Sequence, residues 1–443
     1  MGDKDGGATR YERVPFGKEM RKLFSFADDY TPLNHGSYGA TPTAILAKAD
    51  AFRRESDARP SRFMRYDYPR YLDAARAALA KFLDVPMRTV VLVPNATTGV
   101  NTVLRNLTWN PDGKDEIIQL SIIYPACGKT TEYICEYNND IVRTRQVSLP
   151  YPIEDEDLVA AYRSVIHASR AQGRRPRIAI FDTVASLPGV RLPFEKLAAM
   201  CREEQILSVI DGAHGIGHVK LDLPNVDPDF FVSNCHKWLF VPRGCAVLYV
   251  PERNQHLIRT SVPTTADFVP RSANKGSSAS TASLGGQSEF ERNFSFLGTD
   301  DRSAWLTIPE AIRWREEVCG GEENIRTYCR NLAREGSTKV AEILGTHILD
   351  NKTHSITDCC MVNVRLPLSA GLDDGTAMTR EKVVNWIQRT VVEEYDSYLQ
   401  LFYFQGGYWV RLSGQIYLDL SDFEWIGGVL KKVCERAEHE ALA

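Results

Sequence analysis

From residue 89 to residue 250 the chain alternates short β-rich runs with helical patterns. TVVLVPNA precedes GVNTVLRNL, DEIIQLSIIY stands alone, and RIAIFDTV precedes LPFEKLAAMCREEQ; ILSVIDGA, DFFVSNCHKW and GCAVLYV follow. Strand and helix in alternation predict an α/β fold with a mostly parallel, doubly wound sheet. Beyond it come long amphipathic helical patterns over roughly 301–345, the run MVNVRLPL, a helix near EKVVNWIQRTVVEEY, and YWVRLSGQIYLDL, which together read as a smaller α+β unit. We therefore expect an N-terminal arm over 1–30, a large domain over 31–318 and a small C-terminal domain over 319–443. A length of 443 residues at 43% hydrophobic content is ample for that much buried core. The polar, Ser/Gly-rich stretch 264–290 reads as an active-site or interface loop, and no internal repeat is present.

Charge narrows the partners. A formal net charge of -4 with 25% charged residues, mixed in sign, leaves no basic footprint for nucleic acid and no acidic tail, so a small neutral or zwitterionic ligand is expected. The segment MGDKDGGATRYERVPF has no apolar signal-like core, and no uninterrupted apolar run nears the length of a membrane span, so the expectation is a cytoplasmic enzyme with no membrane partner. Ten cysteines at irregular spacing, with no CxxC pair and only Cys359 and Cys360 adjacent, form neither a disulfide framework nor a zinc site. His214 and His218 are four residues apart but have no third ligand or HExxH pattern, so no metal is expected.

In open α/β sheets chemistry gathers at the carboxyl ends of the strands. After TVVLVP the small-residue turn NATTG opens a helix, where free amides and the helix dipole can hold a phosphate, with Ala96, Thr97 and Thr98 as candidates. An ordinary strand-to-helix turn capped by a threonine is the plainer reading. Asp211 ends ILSVI, and a carboxylate buried there needs a cationic partner such as a protonated ring nitrogen. Lys237 lies in SNCHKWLF between a histidine and a tryptophan, a setting that lowers an amine's pKa and exposes the neutral nucleophile. Phosphate turn, strand-end carboxylate and strand-end lysine together describe one ligand, pyridoxal phosphate.

On those residues, from LNHGSYGATP near 33 to VRLSGQIYLDL near 420, the chain resembles the fold-type I pyridoxal phosphate enzymes of the class V aminotransferase group, which includes cysteine desulfurases and isopenicillin N epimerase-like proteins. The resemblance implies that Lys237 is the covalent attachment point, that Asp211 pairs with the pyridine nitrogen, and that His214 contacts the phenolic oxygen side. It also implies that Asn234 and His236 flank the phosphate with Ala96 and Thr97. By the same resemblance Arg411 takes the substrate α-carboxylate, a task suited to a planar bidentate donor. Asn34 and His35 fall in the substrate-side segment, and Thr299 reaches the phosphate of a second subunit, which implies a homodimer with shared sites.

This cofactor supports several reactions, and departures from the group discriminate among them. The segment EEYDSYLQLFYFQGGYWVR lacks the loop cysteine that a desulfurase needs before the carboxylate-binding arginine. Its aromatic run suits either a quaternary ammonium ligand or the packing of a strand. Tyr124 stands in IIYPACGKT where desulfurases stack a histidine on the ring, and a phenol can both stack and donate a proton. These features look most like the ergothioneine-pathway members, the fungal hercynylcysteine sulfoxide lyases. The implied reaction breaks the Cβ–S bond of a cysteine-conjugate sulfoxide, giving a sulfenic acid, pyruvate and ammonia, with Lys237, Tyr124 and Asp211 catalytic. A class V aminotransferase or an isopenicillin N epimerase-like epimerase is the alternative.

Overall fold

The structure is a computed structural model that describes residues 10–260, 262–263 and 286–442. The polar stretch read as a loop falls largely outside the described residues. Seven strands form the main sheet: β1 Val90–Val93, β2 Asp115–Leu120, β3 Val142–Val147, β4 Arg175–Asp182, β5 Leu207–Asp211, β6 Phe230–Asn234 and β7 Ala246–Tyr249. Their order is β1-β7-β6-β5-β4-β2-β3, in which only β7 runs against its neighbours. Both faces of the sheet are covered, so every strand but β3 carries consecutive apolar residues, with buried polar ones such as Asp115, Glu116 and Gln119 of β2 among them. Val90, Leu92, Ile118, Phe181, Ile210 and Phe231 join one core, while Val91, Val93, Ile117, Ile180, Val209 and Val232 join the other. β3 departs from that rule. It is an edge strand of sequence VRTRQV with exposed and half-buried middle positions, so no apolar run announces it.

A smaller antiparallel sheet, β8 Met361–Arg365, β9 Gln400–Phe404 and β10 Gly407–Ser413 in the order β8-β10-β9, packs with the helices Glu322–Leu344, Ala377–Tyr395 and Leu420–Glu440. The β9–β10 hairpin turns at Gln405 and Gly406, both with positive φ (44° and 79°), the signature of a tight primed turn. The aromatic run before Arg411 belongs to this sheet. Tyr403 and Tyr408 pack edge to face, the Tyr408 hydroxyl donates to Leu372 O, and the cations over the rings are Arg380 and Arg365. Strand packing therefore accounts for the run, and it does not line the cavity at Lys237.

The N-terminal segment is tied to the last helix and to the residues just before it. Lys18 Nζ lies 2.7 Å from Asp422, and the Gly17 amide donates to Ile416 O. No helix among the described residues is long and apolar enough to cross a membrane. All ten cysteines are free.

Candidate active site

Parallel register brings the site together. Asp182 at the end of β4 pairs with Asp211 at the end of β5, which pairs with Val232 two residues before the end of β6. Beyond β6 the chain enters the short turn Cys235–Trp238, which carries Lys237. These residues border a cavity of about 200 Å³ lined also by Ser37, Tyr38, Asn95, Ala96, Thr97, Tyr124, Ser186, His214, Asn234 and His236.

Lys237 is buried, and burial pulls its ammonium down to about 8, reinforced by the Arg411 charge and opposed by Asp211 and Asp182. Its Nζ lies 3.1 Å from His214 Nε2. Asp211 accepts from the Ala213 amide at 2.9 Å and meets the Cys127 thiol at 3.2 Å; burial raises its carboxyl against both contacts. Asp182 is held well above the usual carboxylate range by burial first and by the Asp211 charge second. Two carboxyls on neighbouring strand ends thus share one desolvated floor.

The helix Ala96–Asn106 begins at this cavity with Asn95 as its cap. Its first and third amides have partners: Ala96 N–H donates to Asn234 Oδ1 and Thr98 N–H to Asn95 Oδ1, each at 2.8 Å. The Thr97 amide between them is therefore the one open to an anion, and Asn234 ties β6 to the helix start. His236 donates Nδ1–H to Cys245 O at 2.9 Å, and burial lowers its ring to about 4, so it faces the cavity uncharged. Tyr124 caps the helix Pro125–Tyr137 with its phenol 41% exposed, raised by burial.

Arg411 comes from β10 of the smaller sheet. Its Nη1 donates to Ser186 O at 2.9 Å, and its Nη2 donates to Asn34 Oδ1 at 2.8 Å and Ser37 Oγ at 2.9 Å, while its buried Nε has no partner. Burial lowers it to about 10, and the groups opposing that loss are Tyr398 and Cys359 rather than a carboxylate. A buried cation with no counter-ion among the described residues is prepared for an anionic ligand.

Two residues of the N-terminal segment act on protein groups. Asn34 holds Arg411. His35 uses both ring nitrogens, on Tyr417 OH at 2.7 Å and on Lys237 O at 2.8 Å, and has none left for a substrate. His218 also has both nitrogens engaged, by His214 O and the Cys360 amide. Thr299 lies elsewhere in the chain, in a hollow with Arg65, Tyr68 and Gln287. Asp182, Ser37, Ser186 and Cys127 complete the site without having been singled out in the sequence. For Asp182 the strand-end rule applied to RIAIFD is sufficient signal, whereas Ser37 and Cys127 sit in helices and Ser186 in a loop with no such marker.

A phosphorylated pyridine aldehyde fits these residues. There is a desolvated carboxyl pair for its ring nitrogen side, an open amide at a helix start for its phosphate, and a lysine of lowered pKa for its aldehyde. Fold and site together define a pyridoxal phosphate-dependent enzyme of fold type I. The chain belongs to the aminotransferase class-V family, whose profile matches residues 39–384. Within the family it stands with carbon–sulfur lyases. It is 37% identical to the L-cysteine desulfhydrase-like protein lolT2 of Epichloe uncinata, covering 96% of this chain and 95% of the relative. Identity to the hercynylcysteine sulfoxide lyase of Schizosaccharomyces pombe is 32%, covering 96% and 99%. Among solved structures, a C-DES mutant with glycine covalently linked to its pyridoxal phosphate cofactor superposes with a TM-score of 0.73 at 18% identity, covering 93% of this chain and 98% of that one. The cysteine desulfurase of Thermococcus onnurineus gives 0.70 at 15% identity, covering 96% and 100%.

Proposed function

We propose that this enzyme cleaves the Cβ–S bond of a cysteine-conjugate sulfoxide of the hercynylcysteine type, releasing a sulfenic acid and 2-aminoacrylate, which hydrolyses to pyruvate and ammonia. The observation that carries the reading is Tyr124, a phenol on the cavity that also holds Lys237 and Asp211. Arg411 holds the α-carboxylate of the substrate, Lys237 takes the Cα proton, and Tyr124 gives a proton to the departing sulfur group. When bound, the cofactor supplies a sink for the electron pair left at Cα, and Asp211 keeps its ring nitrogen protonated. The S. pombe relative supports the sulfoxide as substrate. The Epichloe relative favours a second reading, desulfhydration of free cysteine.

The active form in this reading is a homodimer in which Thr299 reaches the phosphate of the second subunit, and the free thiols fit a cytoplasmic setting. Incubating the holoenzyme separately with hercynylcysteine sulfoxide and with L-cysteine tests the substrate. Stoichiometric pyruvate from the sulfoxide is expected; pyruvate and sulfide from cysteine alone establishes the desulfhydrase instead. Conversion of an amino acid without any pyruvate means transamination or epimerisation.

A further inference from the structure

The contact between His214 and Lys237 has a direction set by a third residue. Trp238 Nε1 donates to His214 Nδ1 at 3.1 Å. An indole N–H is only a donor, so Nδ1 carries no proton. His214 is buried, and burial together with the Lys237 charge pushes its ring well below the ordinary histidine range, so the ring is neutral. A neutral imidazole has one N–H, which then sits on Nε2, the atom 3.1 Å from Lys237 Nζ. An ammonium has three donors and no acceptor, whereas a free amine can accept from Nε2–H.

The indole has no freedom to turn away. It is stacked on the His218 ring at 3.9 Å and 13°, His218 is anchored by Cys360 N–H at 2.8 Å, and Trp238 O accepts from Arg315 Nη1 at 2.7 Å. We propose that the Trp238 indole N–H fixes His214 as the hydrogen-bond donor to Lys237, making Trp238 a positioning residue that holds the amine as the free base. The proposal rests on the assignment of Lys237 as the cofactor's attachment point.

The other groups facing this pair are accounted for. Around Lys237, Arg411 disfavours the ammonium while Asp211, Asp182 and Cys127 favour it. Around His214, Lys237, Arg411, His218 and His35 all disfavour a ring charge. None of these supplies a donor that specifies which ring nitrogen is bare. Trp238→Phe removes the N–H and keeps an aromatic ring over His218. His214 is then free to carry its proton on Nδ1 and to accept from an ammonium at Nε2, which stabilises the protonated lysine.

The test uses apoprotein, pyridoxal phosphate and borohydride across pH from about 6 to about 10, with covalent labelling of Lys237 followed by mass spectrometry. The parent should show a rate midpoint near about 8. Trp238→Phe should move it up by about one unit, seen as about tenfold slower labelling at neutral pH. A folded Trp238→Phe protein with the parent's midpoint overturns the proposal. No labelling of Lys237 in the parent overturns the cofactor assignment instead. Nitrogen-15 NMR of histidine-labelled parent apoprotein reads the tautomer without any variant: His214 protonated on Nε2 is expected, and protonation on Nδ1 refutes the proposal.

Discussion

Replacing Gly39 by alanine should dislodge the segment that seats Arg411 from the turn that carries Lys237. Gly39 has φ 69° and ψ 176°, a conformation open in practice only to glycine, so a side chain there costs about 1–3 kcal/mol. An added Cβ would also stand 2.0 Å from His236 O and 2.9 Å from Lys237 Cα. Reaching ordinary contact needs a backbone shift of more than about 1 Å, and overpacking of this kind costs about 1–3 kcal/mol. The two effects sum to about 2–6 kcal/mol, and displacement of reacting groups on that scale lowers turnover about 100-fold. Gly113→Ala is the control, because Gly113 has φ 71° but nothing within 4 Å of an added Cβ, so only the backbone penalty of about 1–2 kcal/mol applies. Urea unfolding of both variants, with turnover of each, separates the contact from the conformation. Equal unfolding midpoints and near-parent turnover in Gly39→Ala would refute the clamp.

Arg411→Ala should weaken binding of a non-reacting amino acid by about 2–5 kcal/mol, about 30- to 4000-fold, read by spectral titration of the holoenzyme. Unchanged affinity means that the carboxylate is held elsewhere. Tyr124→Phe keeps the ring and removes the phenol, so substrate should still lose its Cα proton while pyruvate release slows by about 100-fold or more; parent-like release leaves Tyr124 as a stacking platform only. Sedimentation of the holoenzyme should give a dimer, and a fully active monomer at assay concentration would remove Thr299 from the site.

The sequence exposes whatever local chemistry dictates. β1, β2 and β4–β7 are legible because a strand covered on both faces carries consecutive apolar residues, and Lys237, Asp211 and NATTG are legible because they end or follow such runs. β3 is hidden because an edge strand with exposed positions tolerates the charged residues of VRTRQV. His35 is a different failure. Its segment lies next to Lys237, yet which atoms its nitrogens meet depends on Tyr417 and Lys237 O, residues 382 and 202 positions away. Cys127 against Asp211, 84 positions apart, and the indole on His214 are likewise products of packing that no spacing rule encodes.

The bond from Arg411 to Asn34 joins residues 377 positions apart in the chain. At translation speeds of about 5–20 residues per second, the arginine leaves the ribosome about 20–75 seconds after the asparagine it must meet. Until then Asn34 and Ser37 have no guanidinium to hold, and Lys237 lacks the positive neighbour that helps to depress its charge. All seven strands of the main sheet, the last of which ends at Tyr249, are therefore synthesised well before the arginine that Asn34 and Ser37 hold.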